Sequence, residues 1–168
     1  REMGKKGKKP VETPLFEADE VKAEKEAVSS GTAVPSSAMG KHFSHPDKKI
    51  RDKAVAVFSK WVSRQENLED EDHVRLWKAL FYCYWMSDKG PVQRELAERL
   101  SALINVCANQ QQAERFIRAF YTTMQREWAG IDRLRMDKFY NLIRCFQKET
   151  FAFLAKSNWR SASIAWVN

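Results

Sequence analysis

From Ser44 to the neighbourhood of Lys156 the apolar residues recur every three or four positions, and no stretch alternates with period two for long enough to make a strand. A chain patterned this way buries its apolar groups by packing helix against helix, so the fold class is all-α. Five helices are expected. The first runs from about Asp47 to Arg64, with Ile50, Ala54, Val57 and Trp61 on one face and a capping signal between Ser44 and Asp47. The second, from about Asp72 to Met86, turns Leu76, Trp77, Leu80, Phe81 and Tyr84 inward. The acids Glu69 to Asp72 precede it, where a helix N-terminus is positive. Pro91 opens the third, which carries Val92, Leu96, Leu100, Leu103 and Cys107. The fourth carries Ala113, Phe116, Phe120, Met124 and Trp128. Gly130 then offers a left-handed stop, Ile131 a staple to Met136 and Asp132 an N-cap. The fifth helix buries Met136, Phe139, Ile143, Phe146 and Leu154.

Helices one plus two and three plus four each span roughly 40 residues as hairpins, the size of a HEAT-like unit. A HEAT-like helical-repeat (α-solenoid) domain is therefore the leading architecture, with the fifth helix left unpaired. An irregular five-helix bundle has the same periodicity and stays open beside it.

Residues 1–41 read differently, as a charged extended tail. Beyond Leu15 and Phe16 they hold almost no large apolar side chains, so they cannot offset the entropy of ordering except against a partner. A short charged helix over Phe16 to Val28 has nothing to hold it to a core. The start, Lys5-Lys6-Gly7-Lys8-Lys9, fits either an RNA-contacting or nuclear-import patch or a solvated end. Residues 42–156 form the helical-repeat domain, and 157–168 begin a C-terminal extension. Because the chain opens at Arg1 and stops in an apolar stretch, it is expected to be part of a longer protein.

Charge narrows the function. From Lys41 onward 22 basic groups face 15 acidic ones, so the whole net charge of +7 belongs to the helical part. A basic domain of this size suits a polyanion, because each neutralised phosphate releases condensed counterions; solubilising background charge is the alternative. No run is long and apolar enough to cross a bilayer, and no membrane partner is expected. Cys83, Cys107 and Cys145 are far apart and odd in number, which argues for reduced thiols in a nuclear or cytosolic compartment.

The segments LWKALFYCYWMSDKGPVQRELAERLSAL (76–103) and REWAGIDRLRMDKFYNLIRCF (126–146) resemble those of the nucleolar ribosomal RNA-processing protein one family. KKIRDKAVAVFSKWV (48–62) is similar to that family's first helix, so the resemblance covers roughly residues 42–156. It implies a non-catalytic factor of large-subunit ribosome assembly in the nucleolus. The implied partners are pre-ribosomal RNA, ribosomal proteins and other assembly factors, among them Brix-domain and β-propeller proteins.

The residues themselves offer little chemistry. His42 and His45 lack a zinc-like partner, no glycine-rich phosphate loop or nucleophile elbow occurs, and neither a metal, a cofactor nor a small-molecule substrate is expected. Asp132 and Asp137, the best carboxylate pair, point roughly 140° apart on a helix; Asp132 fits a cap and Asp137 a partner for Arg133. The basic positions carry more. Lys49, Lys53, Lys60 and Arg64 fall on one stripe of helix one, beside Lys48 and Arg51 near its start, and these six are the expected RNA contacts together with Arg135. Arg115, Arg118 and Arg126 on helix four make a second stripe for an acidic partner protein, and helix five adds Arg144 and Lys148. Trp77, Trp85, Trp128 and Tyr140 are expected in the core. Trp159 and Trp166 lie outside it as an apolar patch for a following helix or a partner. A scaffold for pre-rRNA and a helical adaptor that meets only acidic proteins both fit these residues; a nuclease would need a carboxylate cluster that is not found.

Overall fold

The computed structural model describes residues 37–159, and all their regular structure is helical. Residues 1–36 of the tail, with the Lys5 to Lys9 run and the helix expected over Phe16 to Val28, and Trp166 lie outside the described residues. Six α-helices follow in order: α1 (Ser37–Phe43), α2 (Lys48–Val62), α3 (Asp70–Trp85), α4 (Gly90–Ala102), α5 (Gln110–Glu127) and α6 (Arg133–Lys156). Short 3₁₀ turns, Leu103–Val106 and Trp128–Gly130, lead out of α4 and α5.

From α2 onward each start has a local cause. The Asp47 carboxylate accepts from the Lys49 N–H at 2.8 Å, Asn109 from Gln112 at 2.9 Å, and Asp132 from Arg135 at 3.0 Å, satisfying donors that a helix start leaves orphaned. Glu69 and Asp72 form a reciprocal capping box on α3, and Pro91 sits in the first turn of α4. Gly130 does not take the left-handed stop; the chain leaves α5 through the 3₁₀ turn, which the Ile131 N–H closes on the Trp128 carbonyl at 3.1 Å.

From α3 onward the main pairs are second neighbours, α3 with α5 and α4 with α6, and they run parallel. Asp70 at the start of α3 meets Arg115 and Arg118 in the first half of α5, and Lys78, about two turns further along α3, meets Glu127 at the end of α5. Lys138 of α6 reaches the loop before α4 while Asn105, just past α4, bonds Glu149. Lys48 and Asp52 of α2 bridge to Glu95 and Arg99 of α4 in the same sense. The pairing differs from the expected hairpins, and α1 is an additional helix: Phe43, only 1% exposed, packs edge-on against Phe58 at 5.7 Å. Nor is α6 left over; it packs along α4.

The core is aromatic. Trp77 is fully buried, with ring centroids 4.9 Å from Phe116, 4.9 Å from Phe120 and 5.2 Å from Phe146, so one side chain joins α3, α5 and α6. Its indole N–H donates to the Phe116 carbonyl at 2.9 Å. Phe139 adds a second link between α6 and α3 through Phe81 and Tyr84. Lys138 is buried too; its ammonium donates to the Trp85 and Ser87 carbonyls at 2.6 and 2.8 Å, at the α3 C-terminus, where carbonyls are orphaned and the dipole is negative. Burial holds its pKa down to about 8. His73, which the sequence did not distinguish, is fully buried and pairs with Gln112 at 2.8 Å, and Gln112 in turn donates to the Leu68 carbonyl.

Trp77→Ala removes the ring shared by three helices and is expected to lower the unfolding free energy by about 3–5 kcal/mol in urea titrations; a loss below about 1 kcal/mol would contradict this packing. Burial holds the His73 pKa below its ordinary value, so the unfolded chain binds the extra proton first as pH falls. Stability is therefore present above the unfolded-state pKa of about 6.5 and declines below it, and a His73→Gln variant, though weaker at neutral pH, should lose that acid-side decline. An identical pH dependence in wild type and variant would contradict the assignment.

Candidate nucleic-acid interface

Helix α2 turns Ala54, Val55, Phe58, Trp61 and Val62 into the core. At about 100° per residue this sets Lys49, Lys53, Lys60 and, in the closing turn, Arg64 within an arc of about 60° on the opposite side. The stripe thus lies across from the buried face. All four are exposed, and none is in an ion pair among the described residues. Lys49 and Lys60 stand about 16 Å apart along the axis. Val57, expected in the core, is 38% exposed on this same side, because Val55 and Phe58 occupy the inward positions.

Two expected contacts leave this surface. Arg51 is only 5% exposed, and its guanidinium donates to the His45 and Pro46 carbonyls at 2.7 and 2.8 Å, closing the turn between α1 and α2. Its place on the inward arc takes it away from solvent, and the carbonyls satisfy it there. Lys48 pairs with Asp52 at 2.5 Å and with Glu95 at 3.4 Å, tying α2 to α4. Such a lysine is half committed before any phosphate arrives.

Arg135 is also engaged: it pairs with its own N-cap, Asp132, and lies 4.7 Å from the centre of the Trp85 ring. Of the two, it is Arg133 rather than Arg135 that is exposed and outside any ion pair among the described residues, and it does not join Asp137. On α5, Arg115 is mostly buried, donating to the Leu68 carbonyl and pairing with Glu69 at 3.2 Å and Asp70 at 3.4 Å. Arg118 meets Asp70 at 3.3 Å. Arg126 is exposed and outside any ion pair among the described residues. Together with Arg75, Val74, Ala119 and Thr122 these arginines line a groove of about 530 Å³ between α3 and α5.

Tyr140, expected in the core, is 45% exposed and packs edge-on to Trp128 at 5.4 Å. Trp85 and Trp128 are half-buried, and Trp159 is 51% exposed. Burial pushes the Cys83 and Cys107 thiols up to about 12, so both stay protonated at neutral pH. Among the described residues no group of three or more His, Cys, Asp or Glu side chains is placed to hold a metal ion, and no helix is long and apolar enough to cross a membrane.

Comparison with known proteins supplies the context for this surface. The family model for the nucleolar protein Nop52 matches residues 34–168. The chain is 38% identical over 123 residues to human ribosomal RNA processing protein 1 homolog B, covering 70% of this chain and 16% of the relative. It is 39% identical over 119 residues to human homolog A, covering 68% and 26%, and 37% identical over 113 residues to the Caenorhabditis elegans homolog, covering 66% and 28%. The chain therefore spans well under a third of the length of the curated relatives it matches. With more than three quarters of its residues inside the match, this chain belongs to the Nop52 family of nucleolar proteins.

Proposed function

We propose that this chain is a non-catalytic scaffold of large-subunit ribosome precursors in the nucleolus, holding pre-ribosomal RNA beside other assembly factors during rRNA processing. The relatives' names tie them to rRNA processing. The observation that carries the RNA reading is the α2 stripe: Lys49, Lys53, Lys60 and Arg64, exposed, on one arc and outside ion pairs. Four cations at one or two helical turns' spacing neutralise a phosphate backbone without reading bases, so the chain positions RNA rather than selecting a sequence. Parallel pairing of second-neighbour helices supports a HEAT-like helical repeat, since a simple up-and-down bundle would join chain neighbours antiparallel. Brix-domain and β-propeller assembly factors and ribosomal proteins are the proposed protein partners.

The adaptor reading draws on a different observation, the groove between α3 and α5 with Arg126 outside an ion pair at its edge. There an acidic segment of a partner protein would find Arg126 and compete with Asp70 for Arg118.

The two readings separate in a salt titration with fluorescent large-subunit pre-rRNA fragments. Changing Lys49, Lys53, Lys60 and Arg64 to Glu should weaken binding and flatten the log–log salt slope by about one unit for each phosphate no longer neutralised. Unchanged affinity and slope, with the helical signal intact, would remove RNA from α2 and leave the adaptor reading ahead.

A further inference from the structure

On α6 the side opposite the buried Leu142 and Phe146 carries a second pattern. Arg133, Tyr140, Arg144, Lys148 and Phe151 fall within an arc of about 80°, with Asp137 the one acid among them. The three cations are exposed and in no ion pair among the described residues, while Tyr140 is 45% and Phe151 57% exposed. Each ring has a companion: Trp128 lies 5.4 Å from Tyr140, and Trp159 lies 6.4 Å from Phe151. Trp159 is placed there by the end of α6, where its N–H donates to the Leu154 carbonyl at 3.0 Å and the Asn158 N–H to Ala155 at 3.1 Å. Asn158 and Trp159 both adopt left-handed backbone, with φ of 53° and 50°, a conformation that a bulky residue rarely takes and that fixes the indole beside Phe151.

Two aromatic pairs thus stand about 16 Å apart along the helix, with Arg144 and Lys148 between them. This alternation of ring and cation is absent from the α2 stripe, whose exposed intervening residues are Ala56, Val57 and Ser63. Bases in a duplex stack on one another and offer no faces to such rings, whereas unpaired bases stack on exposed aromatic side chains while cations track the backbone. Three cations to one acid favour a polyanion over an ordinary protein surface.

We propose that the outward face of α6 binds single-stranded RNA, stacking bases at Tyr140–Trp128 and Phe151–Trp159 and holding intervening phosphates with Arg144 and Lys148. The proposal is independent of the α2 stripe, whose cations track a phosphate backbone whether or not its bases are paired.

The test uses the full chain with fluorescein-labelled single-stranded RNA of about a dozen nucleotides, unable to self-pair, and a duplex of the same length. Tyr140→Ala and Phe151→Ala should each weaken single-strand binding by about tenfold while leaving duplex affinity within about twofold. Tyr140→Phe and Phe151→Tyr, which keep a stacking face, should restore it. The α2 glutamate variants, which remove phosphate contacts alone, should weaken strand and duplex alike, so a failure of one surface is distinguishable from failure of the other. Circular dichroism checks that the exposed-ring variants stay folded. Single-strand affinity unchanged by either alanine, or lost equally for strand and duplex, overturns the proposal. If the alanine variants bind RNA normally but drop out of purified precursor particles, the face belongs to a protein partner instead.

Discussion

The arrangement depends on a single indole. Trp77 lies where α3, α5 and α6 converge, touches one aromatic ring on α6 and two on α5, and directs its N–H to a backbone carbonyl of α5. An aromatic side chain of that size fills space no combination of smaller residues at one position fills, and its polar edge must find an acceptor once buried. Fixing Trp77 fixes the offset between α3 and α5, and so brings Asp70 to Arg115 and Lys78 to Glu127. Stacking of Phe120 on Phe146 at 3.8 Å then carries the same register into α6.

Basic residues divide into two populations by what surrounds them. Arg51, Arg115 and Lys138 are drawn inside or nearly so, and each donates to main-chain carbonyls: those of residues 45 and 46, of Leu68, and of Trp85 and Ser87. These cations satisfy the carbonyls that turns and helix ends leave without partners. A second population, led by Lys49, Lys53, Lys60 and Arg64, is left facing water. The net charge therefore overstates what is available to a polyanion, and its placement matters more than its size.

Period and caps were legible in the sequence because both are local. The α2 to α6 segments, Asp47, Pro91 and Asp132 follow from spacing and side-chain chemistry within one or two turns. The edges of the buried arcs were not. Val57 and Phe58 are neighbours on α2, and it is packing against Phe43 and Trp61 that takes Phe58 inward. Arg51 reads as surface because it is charged, yet its long stem crosses the inward arc to reach carbonyls contributed by the turn. Arg133 and Arg135 exchanged their expected roles, since the cap at Asp132 lies one turn from Arg135. Helix α1 has seven residues, too few to show a period, and His73 is distinguished only by Gln112, which is 39 positions away. The resemblance to the ribosomal RNA-processing family was carried by long ungapped segments, and so reached the family without resolving any of these contacts.

If RNA meets the outward side of α2 while Lys78, between α3 and α5, remains engaged with Glu127, the α2 lysines and Lys78 differ in reactivity once RNA is bound. Lysine acylation followed by mass spectrometry, with and without a bound pre-rRNA fragment, reads that difference. Lys49, Lys53 and Lys60 should become protected on binding, whereas Lys78, exposed but paired with Glu127 on the α3–α5 side, should react as before. Protection at Lys78 with none at the three α2 lysines would contradict this placement of the RNA.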